Sequence, residues 1–253
     1  MIDEFLKSTR SEILNKHVAI LRSMKVAKFI KTNTIEWNDI ICCQVFTAGC
    51  NFRCPYCYAS EEIEKKENFL NTDEILRTIE NTESIEGVII TGGEPLVHSD
   101  LYKFLRVVRT MGKKIRLDTN GSMPAVLDDL IGANLVDFVS MDIKAPLTAE
   151  DYAMTSYAIV DPEDIEKSIE IIMDSGIDYE FTTTVVPIHI TEDDIESICA
   201  SIKGAKCYRI NQFKPGSCLD PTLNHISPYK QKTIMNMVEI AKKYVKKVTV
   251  SGF

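Results

Sequence analysis

From Val26 onward the chain alternates short apolar runs with longer stretches in which apolar residues recur at helical spacing. Strand candidates end near Thr47, Thr91, Thr119, Asp142, Val186 and Phe213, at intervals of 23 to 44 residues. A βα unit needs roughly 30 residues, so this rhythm predicts six such units and a parallel sheet. Helix starts are marked by Asn71-Thr72-Asp73-Glu74, Asp161-Pro162-Glu163-Asp164 and Thr191-Glu192-Asp193-Asp194, each ahead of an apolar residue. An antiparallel piece is expected before the first unit, from Val26–Lys31 through a turn at Asn33 and Asn38-Asp39 to Ile40–Thr47, and Lys246–Val250 reads as a last strand. Ahead of these, residues 2–24 carry Ile2, Phe5, Leu6, Ile13, Leu14, Ile20, Leu21 and Met24 mostly on one helical face. The expected organisation is therefore an amphipathic helical extension over 1–24 and one α/β domain over 25–253.

Periodicity alone leaves open whether the sheet curls. The loops are more telling, because each predicted strand leads into an unusual one: Cys50–Cys57, Gly92-Gly93-Glu94-Pro95, Asp118-Thr119-Asn120-Gly121, Met141–Pro146, Thr184–Pro187 and Gln212–Gly216. All lie at C-terminal strand ends, the face on which α/β barrels assemble active sites.

Composition narrows the class. With 253 residues, 45% hydrophobic and 26% charged, the chain supports one sizeable core. A net charge of −8 argues against broad nucleic-acid binding, which needs clustered Lys and Arg. Met1 to Met24 has charges throughout, and no apolar run approaches the roughly 20 residues that span a bilayer. A cytoplasmic protein with reduced thiols is the expectation.

The chemistry-bearing segment is Cys50-Asn51-Phe52-Arg53-Cys54-Pro55-Tyr56-Cys57. A structural zinc usually takes four protein ligands, and the other five cysteines, Cys42, Cys43, Cys199, Cys207 and Cys218, include no Cys-x-x-Cys pair. An electron-carrier iron-sulfur cluster likewise uses four thiolates, so three leave one corner for an exogenous ligand. Together with Gly92-Gly93-Glu94-Pro95, placed directly after the strand-like Gly87–Thr91, the loop resembles the radical S-adenosylmethionine (radical SAM) superfamily.

The resemblance implies a partial (β/α)6 barrel in which Cys50, Cys54 and Cys57 hold a [4Fe-4S] cluster. S-adenosylmethionine would chelate the fourth iron, with Gly92, Gly93, Glu94 and Pro95 gripping its amino group and Tyr56 near the adenine. Reductive cleavage would yield a 5′-deoxyadenosyl radical that abstracts a hydrogen atom. Within the superfamily, Leu117–Gly121, Met141–Pro146, Tyr179–Pro187 and Phe29–Trp37 look like activating enzymes of glycyl radical proteins, in particular the anaerobic ribonucleoside-triphosphate reductase activating branch. This implies a partner reductase whose glycine is the substrate, an external low-potential electron donor (flavodoxin or ferredoxin), and a monovalent cation near Asp118, Thr119 and Asp142. Asn120 shares that segment, and Lys144 becomes a candidate contact for a cofactor or substrate carboxylate. Tyr58 departs from the pattern, standing where many members of the branch have His.

Two other readings stay open: a radical enzyme acting on a small molecule such as a 7-deazapurine precursor, and a non-catalytic iron-sulfur or zinc module. The run Thr182-Thr183-Thr184 reads first as a strand former. Cys218 reads as a buried small hydrophobe, and a surface helix-start position explains His98 as well as catalysis would, while Gln212 and Lys214 are placed to face an opening after the sixth strand.

Overall fold

The computed structural model describes residues 24–33, 37 and 40–252. The amphipathic stretch expected over 2–24 lies, apart from Met24, outside the described residues, as does the turn at Asn38-Asp39. One sheet contains β1 (Val26–Asn33), β2 (Cys42–Thr47), β3 (Gly87–Gly92), β4 (Lys114–Thr119), β5 (Phe138–Asp142), β6 (Asp178–Val185), β7 (Tyr208–Gln212) and β8 (Val248–Ser251), in that spatial order. β1 runs antiparallel to β2, and every later neighbour pair is parallel. β1 and β8 are the two edges, so the sheet forms a partial barrel open along one side.

Helices α1 (Ser60–Glu64), α2 (Thr72–Glu80), α3 (Leu101–Thr110), α4 (Pro124–Gly132), α5 (Ala149–Ser156), α6 (Pro162–Asp174), α7 (Glu192–Ser201) and α8 (Gln231–Ala241) fill the connections. Their starts follow the sequence signals. Asn71 accepts from the Asp73 N–H, Asp161 accepts from the Glu163 N–H with Pro162 in the first turn, and Thr191 with Asp194 forms a reciprocal capping box.

Side-chain alternation along the strands explains both faces of the sheet. Val88 and Ile90, Ile115 and Leu117, Val139 and Met141, and Tyr208 and Ile210 join the main core under the helices. The intervening positions point into the barrel and are largely polar: Arg116 and Asp118, Ser140 and Asp142, Glu180, Thr182 and Thr184, and Arg209 and Asn211. The period-2 pattern thus separates a dry outer layer from a hydrophilic lumen. Register does the rest. Thr47 pairs with Gly92, Thr119 with Met141 and Val185 with Gln212, so the strands end nearly level and their C-terminal loops meet on one rim.

Candidate active site

The cysteine loop is held by its own backbone and by α5. The Arg53 N–H donates to the Ser156 carbonyl at 2.7 Å, the Arg53 Nη1 donates to the carbonyls of Cys50 and Phe52 at 2.6 and 2.7 Å, and the Cys57 N–H donates to the Cys54 carbonyl at 3.0 Å. Phe52, buried in the core, anchors the loop from beneath. Asn120, at the end of β4, reaches across to donate to Asn51 Oδ1 at 2.9 Å and stands 3.9 Å from Cys50 Sγ.

The Gly-Gly-Glu-Pro segment lies directly against the root of that loop. Gly92 has φ +109°, and a Cβ there would come within 2.5 Å of the Thr47 nitrogen; a Cβ on Gly93 would come within 1.7 Å of the Gly49 oxygen. Only glycine permits this approach. It allows the Gly93 N–H to donate to Thr47 O and the Glu94 N–H to Gly49 O, each at 2.9 Å. Glu94 is buried and accepts from the Asn120 N–H at 2.7 Å, Thr119 Oγ1 at 2.8 Å and the Leu96 N–H at 3.1 Å. Burial pushes its carboxyl pKa up to about 7, against the pull of those hydrogen bonds. Pro95 opens the short 3-10 turn Pro95–Val97 and is buried behind this contact.

These loops enclose a cavity of about 210 Å³. Cys50, Cys54 and Cys57 face it together with Tyr56, Gly92, Gly93 and Glu94, and its far side carries Asp118, Thr119, Asn120, Asp142 and Lys144. Twelve of the thirteen residues singled out from the sequence thus converge on one space, the exception being Pro95. The aspartates are already engaged. Asp118 accepts from Arg116 Nε at 2.8 Å, while Asp142 accepts from Lys144 Nζ at 2.8 Å and from the Thr182 hydroxyl. Burial opposes the charge on Lys144, but the adjacent Asp142 carboxylate and its hydrogen bond, together with Tyr56 and Cys54, outweigh it and hold the ammonium pKa well above its ordinary value.

The donor set fits a multi-iron cluster better than a lone ion. Burial pushes the Cys50 thiol up to about 12 and also raises Cys54 and Cys57, so without a metal all three stay protonated at neutral pH. Coordination by iron would deprotonate them. Among the described residues no three Cys, His, Asp or Glu side chains close around a single point, as a zinc ion would require, although the three cysteines share one cavity. A four-iron cluster would take each thiolate on a different iron, which suits three cysteines around one cavity. The Phe52 N–H, 3.3 Å from Cys50 Sγ, is placed to stabilise a thiolate there.

The sequence matches the family model described as the Radical SAM superfamily over residues 45–202, more than half of the chain. The chain belongs to the radical SAM superfamily. As a radical SAM enzyme it is built to use a [4Fe-4S] cluster and S-adenosylmethionine. A Methanocaldococcus jannaschii protein provisionally named glycyl-radical enzyme activating enzyme is 29% identical over 89% of this chain and 95% of its own length. A 7-carboxy-7-deazaguanine synthase from Koribacter versatilis is 27% identical over 66% of this chain and 71% of its own length. Among solved structures, SuiB of Streptococcus suis bound to S-adenosylmethionine superposes with a TM-score of 0.62 at 13% identity, covering 81% of this chain. This chain spans about half of SuiB, at 48%, and the likeness speaks for the fold alone. Among the described residues no helix is long and apolar enough to cross a membrane.

A second, larger cavity of about 1170 Å³ fills the lumen of this radical SAM barrel. It meets the cysteine cavity at a common wall of Tyr58, Thr91, Asp142 and Thr184. Thr182 and Thr184 point inward while Thr183 donates to the Ile143 carbonyl, so the run expected to be structural also lines the site. Gln212 and Lys214 face this cavity as anticipated, and Cys218 is buried in the core. His98 corrects its surface assignment: it is partly buried, with Nε2 3.0 Å from the Ala48 carbonyl oxygen. Sequence reasoning missed the ion network inside the lumen, where Glu180 lies 3.2 Å from Arg116 and 2.6 Å from Arg209. It also missed the role of Tyr58, whose hydroxyl accepts the Lys214 N–H at 2.6 Å and ties the cysteine loop to the segment after β7.

Proposed function

We propose that this radical SAM enzyme is a glycyl radical activase, removing a hydrogen atom from a backbone glycine of a partner polypeptide, an anaerobic ribonucleotide reductase on the branch its sequence most resembles. The observation that carries this reading is the common wall between the cysteine cavity and a lumen open along the β1–β8 side. At about 1170 Å³ the lumen exceeds the roughly 300–1,000 Å³ of ordinary small-ligand pockets and has room for a chain segment. Similarity along nearly the full length of a relative named as an activating enzyme supports the same reading.

In it, Cys50, Cys54 and Cys57 hold the cluster, and one electron per turnover comes from an external flavodoxin or ferredoxin. When bound, the cluster and S-adenosylmethionine would supply one-electron chemistry that the protein itself lacks. The chain's residues position and shield that chemistry. Gly92 and Gly93 let the third strand's loop press on the cysteine loop, Glu94 locks the Thr119-Asn120 turn beneath it, and Asn120 holds Asn51 in place. Tyr56 and Phe52 keep water from the inner wall. Asp118, Thr119 and Asp142 offer oxygens to a monovalent cation, which would displace Lys144 from Asp142.

The charged lumen and the 7-carboxy-7-deazaguanine synthase relative favour a second reading, a small polar substrate in place of a glycine. Anaerobic reconstitution followed by dithionite and S-adenosylmethionine should give 5′-deoxyadenosine in the wild type and none in Cys54→Ala. Adding the cognate reductase should then give a glycyl radical doublet by electron paramagnetic resonance. Cofactor cleavage without that doublet would transfer support to the small-molecule reading, and no cleavage by cluster-loaded protein would sink both.

A further inference from the structure

The lumen's charges are unevenly matched. Its anions all have partners: Glu180 lies between Arg116 and Arg209, Asp142 holds Lys144 at 2.8 Å, and Asp178 stands 3.7 Å from Lys206. Its cations do not. Arg209 commits only Nη2 to Glu180, at 2.7 and 2.6 Å from the two oxygens, so Nη1 and Nε have no protein partner among the described residues. Lys247 and Lys214 face the same cavity with no partner for their ammonium groups among the described residues. In a chain of net charge −8 this surplus runs against the average.

The surplus is also localised. Arg209 pairs in register with Thr249, so Lys247, two residues earlier and just ahead of β8, lies diagonally from it and lines the same cavity. Asn211, two residues beyond Arg209, shares that face and accepts from Ser251 Oγ at 2.6 Å through Oδ1, which leaves its amide N–H groups to the cavity. The β7–β8 side is therefore a wall of hydrogen-bond donors. Its distance from the chemistry follows from the register, because Asn211 is level with Thr184, on the common wall, and Arg209 with Thr182. With about 3.3 Å per residue and the guanidinium reaching down to Glu180, the donors lie roughly 7–13 Å below the junction.

We propose that this wall is an oxyanion subsite: the substrate presented at the junction carries a carboxylate or phosphate that sits on Arg209 and Lys247, roughly 7–13 Å from the hydrogen to be removed. The planar Arg fork suits either group. The inference rests on the reading of the lumen as the substrate's seat and adds the charge of what enters.

The test is calorimetric titration of the full-length, cluster-reconstituted protein without reductant. The probes are acetyl-Glu-Gly-Ala-amide, its Gln counterpart, free glutarate and inorganic phosphate. At least one anionic probe should bind about tenfold or more tightly than the Gln peptide, and Arg209→Gln or Lys247→Gln should remove that preference without weakening the Gln peptide. A preference for the Glu peptide over glutarate and phosphate assigns the anion to a polypeptide, and the reverse assigns it to a free small molecule. Lys247→Gln, at an exposed position just ahead of β8 and away from the ion network, keeps the test alive if Arg209→Gln melts early. Equal affinity for all four probes, or a preference unchanged in both variants, overturns the proposal. Because no turnover is involved, that failure leaves the glycine reading to be judged by its own doublet.

Discussion

Gly93→Ala is the sharpest perturbation the structure offers, because its effect is set by steric contact alone. The added Cβ would stand 1.7 Å from the Gly49 oxygen and 2.6 Å from the Gly49 carbonyl carbon. Real carbon–oxygen contacts do not fall below about 3 Å, so the two strand-end loops must part by more than 1 Å. That parting breaks the Gly93 N–H to Thr47 O and Glu94 N–H to Gly49 O hydrogen bonds. Each contributes about 1 kcal/mol, and overpacking adds about 1–3 kcal/mol, giving an expected loss of about 3–5 kcal/mol. Because Gly49 directly precedes Cys50, the same shift displaces the first cluster ligand. Urea denaturation of the apoprotein and iron content after reconstitution measure the two effects separately. Gly132→Ala is the control: it closes a helix, has no contact within 4 Å for a new Cβ, and should be neutral or stabilising. If Gly93→Ala matches wild type within about 0.5 kcal/mol and holds as much iron, the packing account of the motif is wrong.

Glu94 should make the apoprotein lose stability with rising pH. Its folded pKa of about 7 lies above the ordinary 4.5, so the contribution is complete below about pH 4.5 and is lost as pH climbs through 7, about 3 kcal/mol in all. Melting curves across pH 5 to 8 should flatten in Glu94→Gln, and an unchanged slope would refute this. Glu180→Gln leaves Arg116 and Arg209 facing each other without their shared carboxylate. A loss of about 2–3 kcal/mol is expected, less than for a sealed pair because Arg209 is partly exposed, and Arg209→Gln in the same chain should recover part of it in a double-mutant cycle. Tyr58→Phe removes the acceptor for the Lys214 N–H, worth about 1 kcal/mol, so that amide should exchange about fivefold faster while the β7 amides do not change.

Much of the fold was legible because the strands carry strong local signals. Thr47, Thr119 and Asp142 end their strands where the apolar runs stop, and the ends expected at Val186 and Phe213 fall one residue earlier, at Val185 and Gln212. The three helix starts were legible for the same reason, since a cap is a contact between residues two or three apart. Barrel curvature was not, because it depends on the twist between neighbouring strands, which leaves no periodic trace in any one of them. The resemblance of two motifs supplied it.

The same division runs through the site. Cys50, Cys54 and Cys57, like Gly92 and Gly93, are read from spacing because one short loop must deliver them together. Arg116, Glu180 and Arg209 are far apart in sequence and ordinary in composition, and what makes them a network is pairwise register: Asp118 beside Ser140, Ser140 beside Glu180, Thr182 beside Arg209. A charged residue in the middle of a strand is normally assigned to the solvent face. Here the outer face is sealed by helices, so the polar half of each strand's alternation has only the lumen to enter. Buried charges there are expensive unless paired, and Glu180 meets that requirement for Arg116 while leaving half of the Arg209 guanidinium unmatched. The cofactor end of the barrel is thus written in local motifs, and the substrate end in which residues happen to share a register.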